Sequence, residues 1–205
     1  MIKAIFFDFD GVLTIDNKGS ATTCKNIQKY LPDVAFDDIL KCYRVHHQNL
    51  LIGKTTHALI WKDFCECIGH NIDIEILYNA FKNIPINQGM FDLCKNLKKN
   101  YRLGIITDNN KERFDVLKKD LKLNDIFDPI IVSGETGCKK DDQKTFLHAL
   151  KLTKLKPTEC IFIDNDKLNL IEPKKMGWQT IFHDDQKNDI PLLIKEIERL
   201  LKLTP

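Results

Sequence analysis

Asp8 and Asp10, separated by Phe9 and followed by Gly11, stand directly after the apolar run Ile2 to Phe7. Three more polar groups occupy the same kind of place. Thr107-Asp108-Asn109 follows the run that begins at Leu103, Lys139-Lys140 lies in the loop beyond Pro129 to Val132, and Asp164-Asn165-Asp166 follows Cys160 to Ile163. Any one of these groups is explained by helix capping or turn formation, for which Asp, Asn and Asp-Gly are common choices. Their conjunction asks for more. Two carboxylate clusters, a hydroxyl and a lysine brought to one edge could hold a divalent cation and a phosphate together.

Such a meeting requires the four groups to sit at the carboxyl ends of parallel strands, where open α/β sheets bind their ligands. The sequence predicts that arrangement. Five short apolar, β-branched or aromatic segments, Ile2 to Phe7, Leu103 to Thr107, Pro129 to Val132, Cys160 to Ile163 and Gln179 to Phe182, read as buried strands. Helical spacing fills the later intervals, near residues 88–100, 111–121, 142–152, 167–176 and 190–202. The expected fold is an α/β sheet with helices on both faces. The first interval is too long for a simple crossover: residues 15–88 lack a convincing strand but carry helical apolar spacing near 22–30, 36–51, 56–68 and 73–82, with breaks at Pro32, Gly53 and Gly69. We therefore expect a catalytic core of residues 1–14 and 89–205 and an all-helical insertion of residues 15–88.

The 31 basic and 29 acidic residues nearly cancel, and the four arginines are scattered, so nucleic acid is not an expected partner. The apolar start is interrupted by Asp8 and Asp10, is too short for a membrane span and lacks a small-residue cleavage site, so a cytoplasmic protein is expected. On the same ground the seven irregularly spaced cysteines are expected to be reduced thiols.

Asp8-Phe9-Asp10-Gly11-Val12-Leu13-Thr14 resembles the first signature of the haloacid-dehalogenase-like hydrolases, in which the first Asp is the nucleophile and the second the general acid and base. Ile105-Ile106-Thr107-Asp108-Asn109 resembles the second signature, whose hydroxyl binds the phosphoryl group. Lys140 sits where the family has its third-signature lysine, and Ile161-Phe162-Ile163-Asp164-Asn165 resembles the fourth, metal-binding signature. The resemblance implies a Rossmann-like core with a helical cap inserted after the first signature. It also implies a phosphatase chemistry with Mg²⁺ held by Asp8, the Asp10 carbonyl and Asp164, and with Thr107, Lys140 and Asp108 on the phosphate side.

The chain departs from the family pattern at three places. Asp141, where Pro is usual, follows Lys140, and Lys139 is its neighbour; spacing favours Lys140. Asn165 replaces a second acid in the fourth signature, and Asp108 fills a slot that is usually small or polar, where it could serve as a helix N-cap. Other features carry less. Gly53-Lys54-Thr55 lacks the preceding strand and the Gly at position 48 that a phosphate-binding loop needs, so a turn before a Thr-capped helix is expected. His46 and His47 read as solvated helix-face residues, and Cys65, Cys67 and His70 lack a fourth ligand for zinc.

The resulting expectation is a Mg²⁺-dependent phosphomonoester hydrolase acting on a small phosphorylated metabolite, a sugar phosphate or nucleotide-like compound, through an aspartyl-phosphate. Two alternatives stay open: a phosphosugar mutase on the same scaffold, and a catalytically silent binding protein.

Overall fold

The computed structural model describes residues 1–203. Strands β1 (Ala4–Phe7), β2 (Arg102–Thr107), β3 (Ile130–Val132), β4 (Cys160–Asp164) and β5 (Gln179–Phe182) form one parallel sheet in the order β3-β2-β1-β4-β5. The expected strands are thus all present. Because strand side chains alternate, Ile5 and Phe7 with Ile105, Ile161 and Ile163 pack on one face, while Ala4 and Phe6 with Ile106 and Phe162 pack on the other, against Phe146 and Trp178. Apolar burial on both faces is why these strands read as continuous hydrophobic runs. The register then sets the site: Phe7 is level with Ile163, so Asp8 comes level with Asp164 on the neighbouring strand.

The long first interval holds α1 (Gly19–Gln28), α2 (Phe36–Arg44), α3 (His47–Leu51), α4 (His57–Ile68) and α5 (Ile74–Lys82). They have a core of their own, which includes Ile27, Ile39, Tyr43, Phe64, Leu77 and Phe81. The two connections run side by side, with an antiparallel bridge between Thr14 and Ile86. One expected helix, 36–51, is two, because the apolar stripe of Ile39, Cys42 and Tyr43 meets histidines at 46 and 47 before it resumes at Leu50 and Leu51. The chain turns there. Residues 53–55 do form a turn, but the capping threonine of α4 is Thr56, whose side chain accepts from the Leu59 N–H.

The cysteine expectation needs correction for one pair, since Cys42 on α2 and Cys67 on α4 are joined in a disulfide with a Cα–Cα distance of 5.7 Å. Two packed helices supply that proximity across 25 residues, and no local spacing announces it. Cys24, Cys65, Cys94, Cys138 and Cys160 are free thiols.

Around the sheet lie α6 (Gln88–Leu97), α7 (Lys111–Asp120), α8 (Ser133–Thr136), α9 (Gln143–Thr153), α10 (Ile171–Lys175) and α11 (Ile190–Leu203). The amphipathic α11 buries Leu193, Ile197 and Leu200, spaced four and three residues apart, against the Ile5–Phe7 face. The helix expected at 167–176 begins instead as a 3₁₀ turn, Lys167–Leu170, and Pro173 falls in the first turn of α10, where its missing N–H costs no helical bond. Short α8 was not anticipated. No helix among the described residues is long and apolar enough to cross a membrane.

Candidate active site

The loop leaving β1 is a wide turn, Phe9–Leu13, that changes direction at Gly11 with φ of 85°. A side chain at Gly11 would be strained by that backbone and would also collide with Asn165, whose amide nitrogen lies 2.3 Å from where a Cβ would be. Thr14 ties the turn together, its hydroxyl accepting from the Gly11 N–H at 3.2 Å and donating to the Asp16 carbonyl at 2.8 Å.

Asp8 and Lys140 line a cleft of about 490 Å³ between the sheet edge and the helical insertion, and fully buried Asp164 lies against Lys140. They are 6%, 2% and 0% exposed, so no bulk water screens them. The Lys140 Nζ is 2.9 Å from Asp8 Oδ1 and 2.7 Å from Asp164 Oδ2. Asp164 Oδ1 accepts from the Asp166 N–H at 2.7 Å, and the Asn169 amide lies 3.1 Å from Asp164 Oδ2. Burial pushes the Asp8 carboxyl up to about 8, with Lys140 pulling against it and Asp164 adding to it. Burial also works against the Lys140 ammonium, but Asp8, Asp164 and Asp108 together hold it above its ordinary range.

With both buried carboxylates ionised, one ammonium leaves negative charge uncompensated, and oxygen donors in that state are what a hard divalent cation requires. The residues present therefore fit Mg²⁺. Among the described residues no three acidic, His or Cys side chains converge on one point, so two carboxylates, Asp8 and Asp164, would have to be completed by a main-chain oxygen. Asp10 could offer only its carbonyl for this, because its side chain is turned elsewhere.

The structure brings the other expected residues to the same cleft, with differences in role. Buried Thr107 lines it. Asp108 also lines it, but its Oδ1 accepts the Lys140 N–H at 3.0 Å and so braces the lysine loop. It does not cap α7; Asn110 does, accepting from the Arg113 N–H at 2.9 Å. Burial raises the Asp108 carboxyl above its usual range, against the pull of Lys140. Lys139 is partly exposed and pairs with Asp141 at 3.3 Å. Asp166 caps the following 3₁₀ turn, its Oδ1 accepting from the Leu168 N–H, while Asn165 faces the cleft. His47 lines the cleft as well, half-buried, and burial together with Arg44 lowers its basicity; His46 turns away to Asp63, 3.3 Å distant.

Arg113 escaped the sequence reading as a site residue, and Asn109 was named there without a role. Arg113 holds Asp10 with two parallel bonds, Nη1 to Oδ2 and Nη2 to Oδ1, both 2.7 Å, and the Asn109 amide donates to the same Oδ2 at 2.9 Å. Asn109 and Arg113 are four residues apart where α7 begins, at the carboxyl end of β2. That placement, just past the end of a parallel strand, was the available signal, since such residues lie at the ligand-binding edge of the sheet.

A parallel Rossmann-like sheet with a buried carboxylate, lysine and carboxylate at the carboxyl ends of its strands defines an α/β protein with its site at the edge where such sheets bind ligands. The chain belongs to the haloacid dehalogenase-like hydrolase family, whose sequence profile matches residues 2–169. It is 28% identical over 201 residues to glyceraldehyde 3-phosphate phosphatase of Pyrococcus furiosus, a match covering 88% of this chain and 80% of that one. To D-ribitol-5-phosphate phosphatase of Bacteroides thetaiotaomicron it is 22% identical over 192 residues, covering 88% and 91%. Among solved structures it is similar to a family enzyme of Bacteroides thetaiotaomicron crystallised as a magnesium complex, with a TM-score of 0.76 at 19% identity, covering 94% and 98% of the two chains.

Proposed function

We propose that the protein is a Mg²⁺-dependent phosphomonoester hydrolase that works through an aspartyl-phosphate on Asp8. The observation that carries this reading is the Lys140 ammonium bridging buried Asp164 and the cleft-lining Asp8, with Asp10 two residues further along the chain. Asp8 Oδ attacks phosphorus and the ester P–O bond breaks. The leaving oxygen takes its proton from Asp10, which then accepts a proton from the water that attacks the aspartyl-phosphate, and inorganic phosphate and free Asp8 are restored. Lys140 and the Thr107 hydroxyl bind the equatorial oxygens, where charge gathers in the transition state. Mg²⁺ held by Asp8, the Asp10 carbonyl and Asp164 would supply the positive charge that lets a carboxylate approach a phosphate dianion.

The phosphatase relatives are named for short-chain phosphate esters, and a cleft of about 490 Å³ suits a substrate of that size. A small phosphorylated metabolite is the proposed substrate, with nucleic acid and membrane outside the proposal. The test is phosphate release from p-nitrophenyl phosphate and from a panel of sugar, polyol and nucleoside monophosphates. Release in Mg²⁺ that stops in EDTA and returns when Mg²⁺ is added is expected. Tight binding of these esters without any release would favour the silent binding protein instead.

A further inference from the structure

The Asp10–Arg113 contact goes beyond what a proton-transfer carboxylate needs for its chemistry, and it is built with care. Arg113 is 3% exposed and Asp10 18%, so the pair lies under the surface of the cleft. Both guanidinium Nη atoms donate to Asp10, Nη1 also donates to Asn109 Oδ1 at 2.9 Å, and the buried Nε has no partner among the described residues. A two-point fork fixes the plane of a carboxylate as a single-point lysine contact cannot. Asn109 adds a second donor to Oδ2, which leaves Oδ1, with one protein partner, as the oxygen better able to exchange a proton with substrate.

The insertion closes directly on this fork. A Cβ at Gly19, the first residue of α1, would lie 2.5 Å from Arg113 Cζ and 2.5 and 2.6 Å from its two Nη atoms, so the backbone of the cap rests on the guanidinium. On the other side of the same helical turn, Glu112 accepts from the His57 N–H at the start of α4 and lies 2.7 Å from His57 Nδ1. The first turn of α7 therefore touches Asp10 in the core and two helix starts in the cap.

Resting on the reading of Asp10 as the proton-transfer group, we propose that Arg113 is a positioning residue for Asp10 and that the seat of Gly19 on its guanidinium makes this positioning depend on where the cap lies. Asp10 is aligned when α1 is seated and is free to rotate when α1 lifts. The ordering of the proton-transfer group is thereby tied to closure of the cleft.

The test compares kcat on p-nitrophenyl phosphate with kcat on glycerol phosphate, whose alkoxide needs its proton, for Asp10→Asn, Arg113→Ala, Arg113→Lys, Gly19→Ala and the double variant Asp10→Asn/Arg113→Lys, each checked for an unchanged melting transition. Arg113→Ala should lose on the order of a hundredfold on the alkyl ester, the scale of a misplaced catalytic group, and only a few-fold on the aryl ester. Arg113→Lys should recover part of the loss. Gly19→Ala, which leaves both charged side chains in place, should lose roughly tenfold with the same leaving-group bias. In the Asp10→Asn background the change at Arg113 should cost almost nothing more, because the group it positions is already disabled. Equal losses on both esters, or full additivity with Asp10→Asn, would overturn the proposal. If Arg113→Ala does not fold, Arg113→Lys and Gly19→Ala decide the matter by the same bias. Absence of any bias in Asp10→Asn itself overturns the underlying reading together with the proposal, whereas a biased Asp10→Asn beside unbiased Arg113 and Gly19 variants overturns the proposal alone.

Discussion

The two halves of the cleft are held by different means. On one side Asp8 and Asp164 extend adjacent strands and share Lys140, so their separation is set by sheet register and by the apolar faces beneath. On the other side Asp10 and Arg113 stand 103 residues apart, on a turn and a helix, and the cap backbone at Gly19 lies against them. The first arrangement is as rigid as the sheet; the second lasts only while α7 and α1 keep their places. Binding charge belongs on the first and an element that responds to substrate on the second.

Removal of the nucleophile is the largest disturbance of the rigid half. Asp8→Asn is isosteric, so the protein should melt normally while turnover on every ester falls by roughly ten-thousandfold or more. Next in size is the lysine. Lys140→Ala should lose on the order of a hundredfold or more in kcat/KM, while Lys139→Ala, at a partly exposed lysine paired with Asp141, should stay within a few-fold of wild type. A larger loss at Lys139 would mean that the bridge seen between Asp8 and Asp164 is not the functional one.

The movable half should show its difference as selectivity. Asp10→Asn should slow sugar and polyol phosphates by roughly a hundredfold or more and aryl phosphates much less, because general acid catalysis contributes most where the leaving group is poor. Kinetics on a matched pair of esters checks this, and uniform slowing would remove the distinction between the two halves.

The smallest effect concerns the cap contact at Glu112. Burial pushes this carboxyl up, but the bonds from His57 outweigh it and its net shift is downward. A carboxyl lowered in the folded state adds stability that is present above its unfolded value and lost as pH falls through the folded one. Glu112→Gln should therefore cost about 1 kcal/mol or less at neutral pH, the side chain being partly solvated, and nothing once pH drops below the acid range of an ordinary carboxylate. Melting curves at neutral pH and near pH 3 make the comparison.

Legibility in the sequence follows the same division. β1, β2 and β4 are apolar on both faces and end in polar residues, so both the sheet and the strand-end residues Asp8, Thr107 and Asp164 could be placed before any coordinates. Lys140 could be chosen over Lys139 only by spacing, since two adjacent lysines in a loop carry no periodicity that says which is buried. The N-cap role open to Asp108 falls to Asn110, because the partner of Asp108, the Lys140 N–H, lies 32 residues away and belongs to the backbone. Arg113 was passed over for the same reason, as an arginine inside a charged helix reads as solvated until α1 is laid across it. Cys42 and Cys67 likewise meet only through the packing of α2 on α4.

The central claim, that Asp8 carries the phosphoryl group, is tested most directly by acid-quenching Asp10→Asn during turnover of p-nitrophenyl phosphate and locating the phosphoryl group by peptide mass spectrometry. Loss of the base should slow hydrolysis of the intermediate more than its formation from an aryl ester, so the peptide containing Asp8 is expected to gain the mass of one phosphoryl group and to lose it in hydroxylamine. Phenolate release with no phosphoryl on that peptide, or with the label on another residue, would contradict the account.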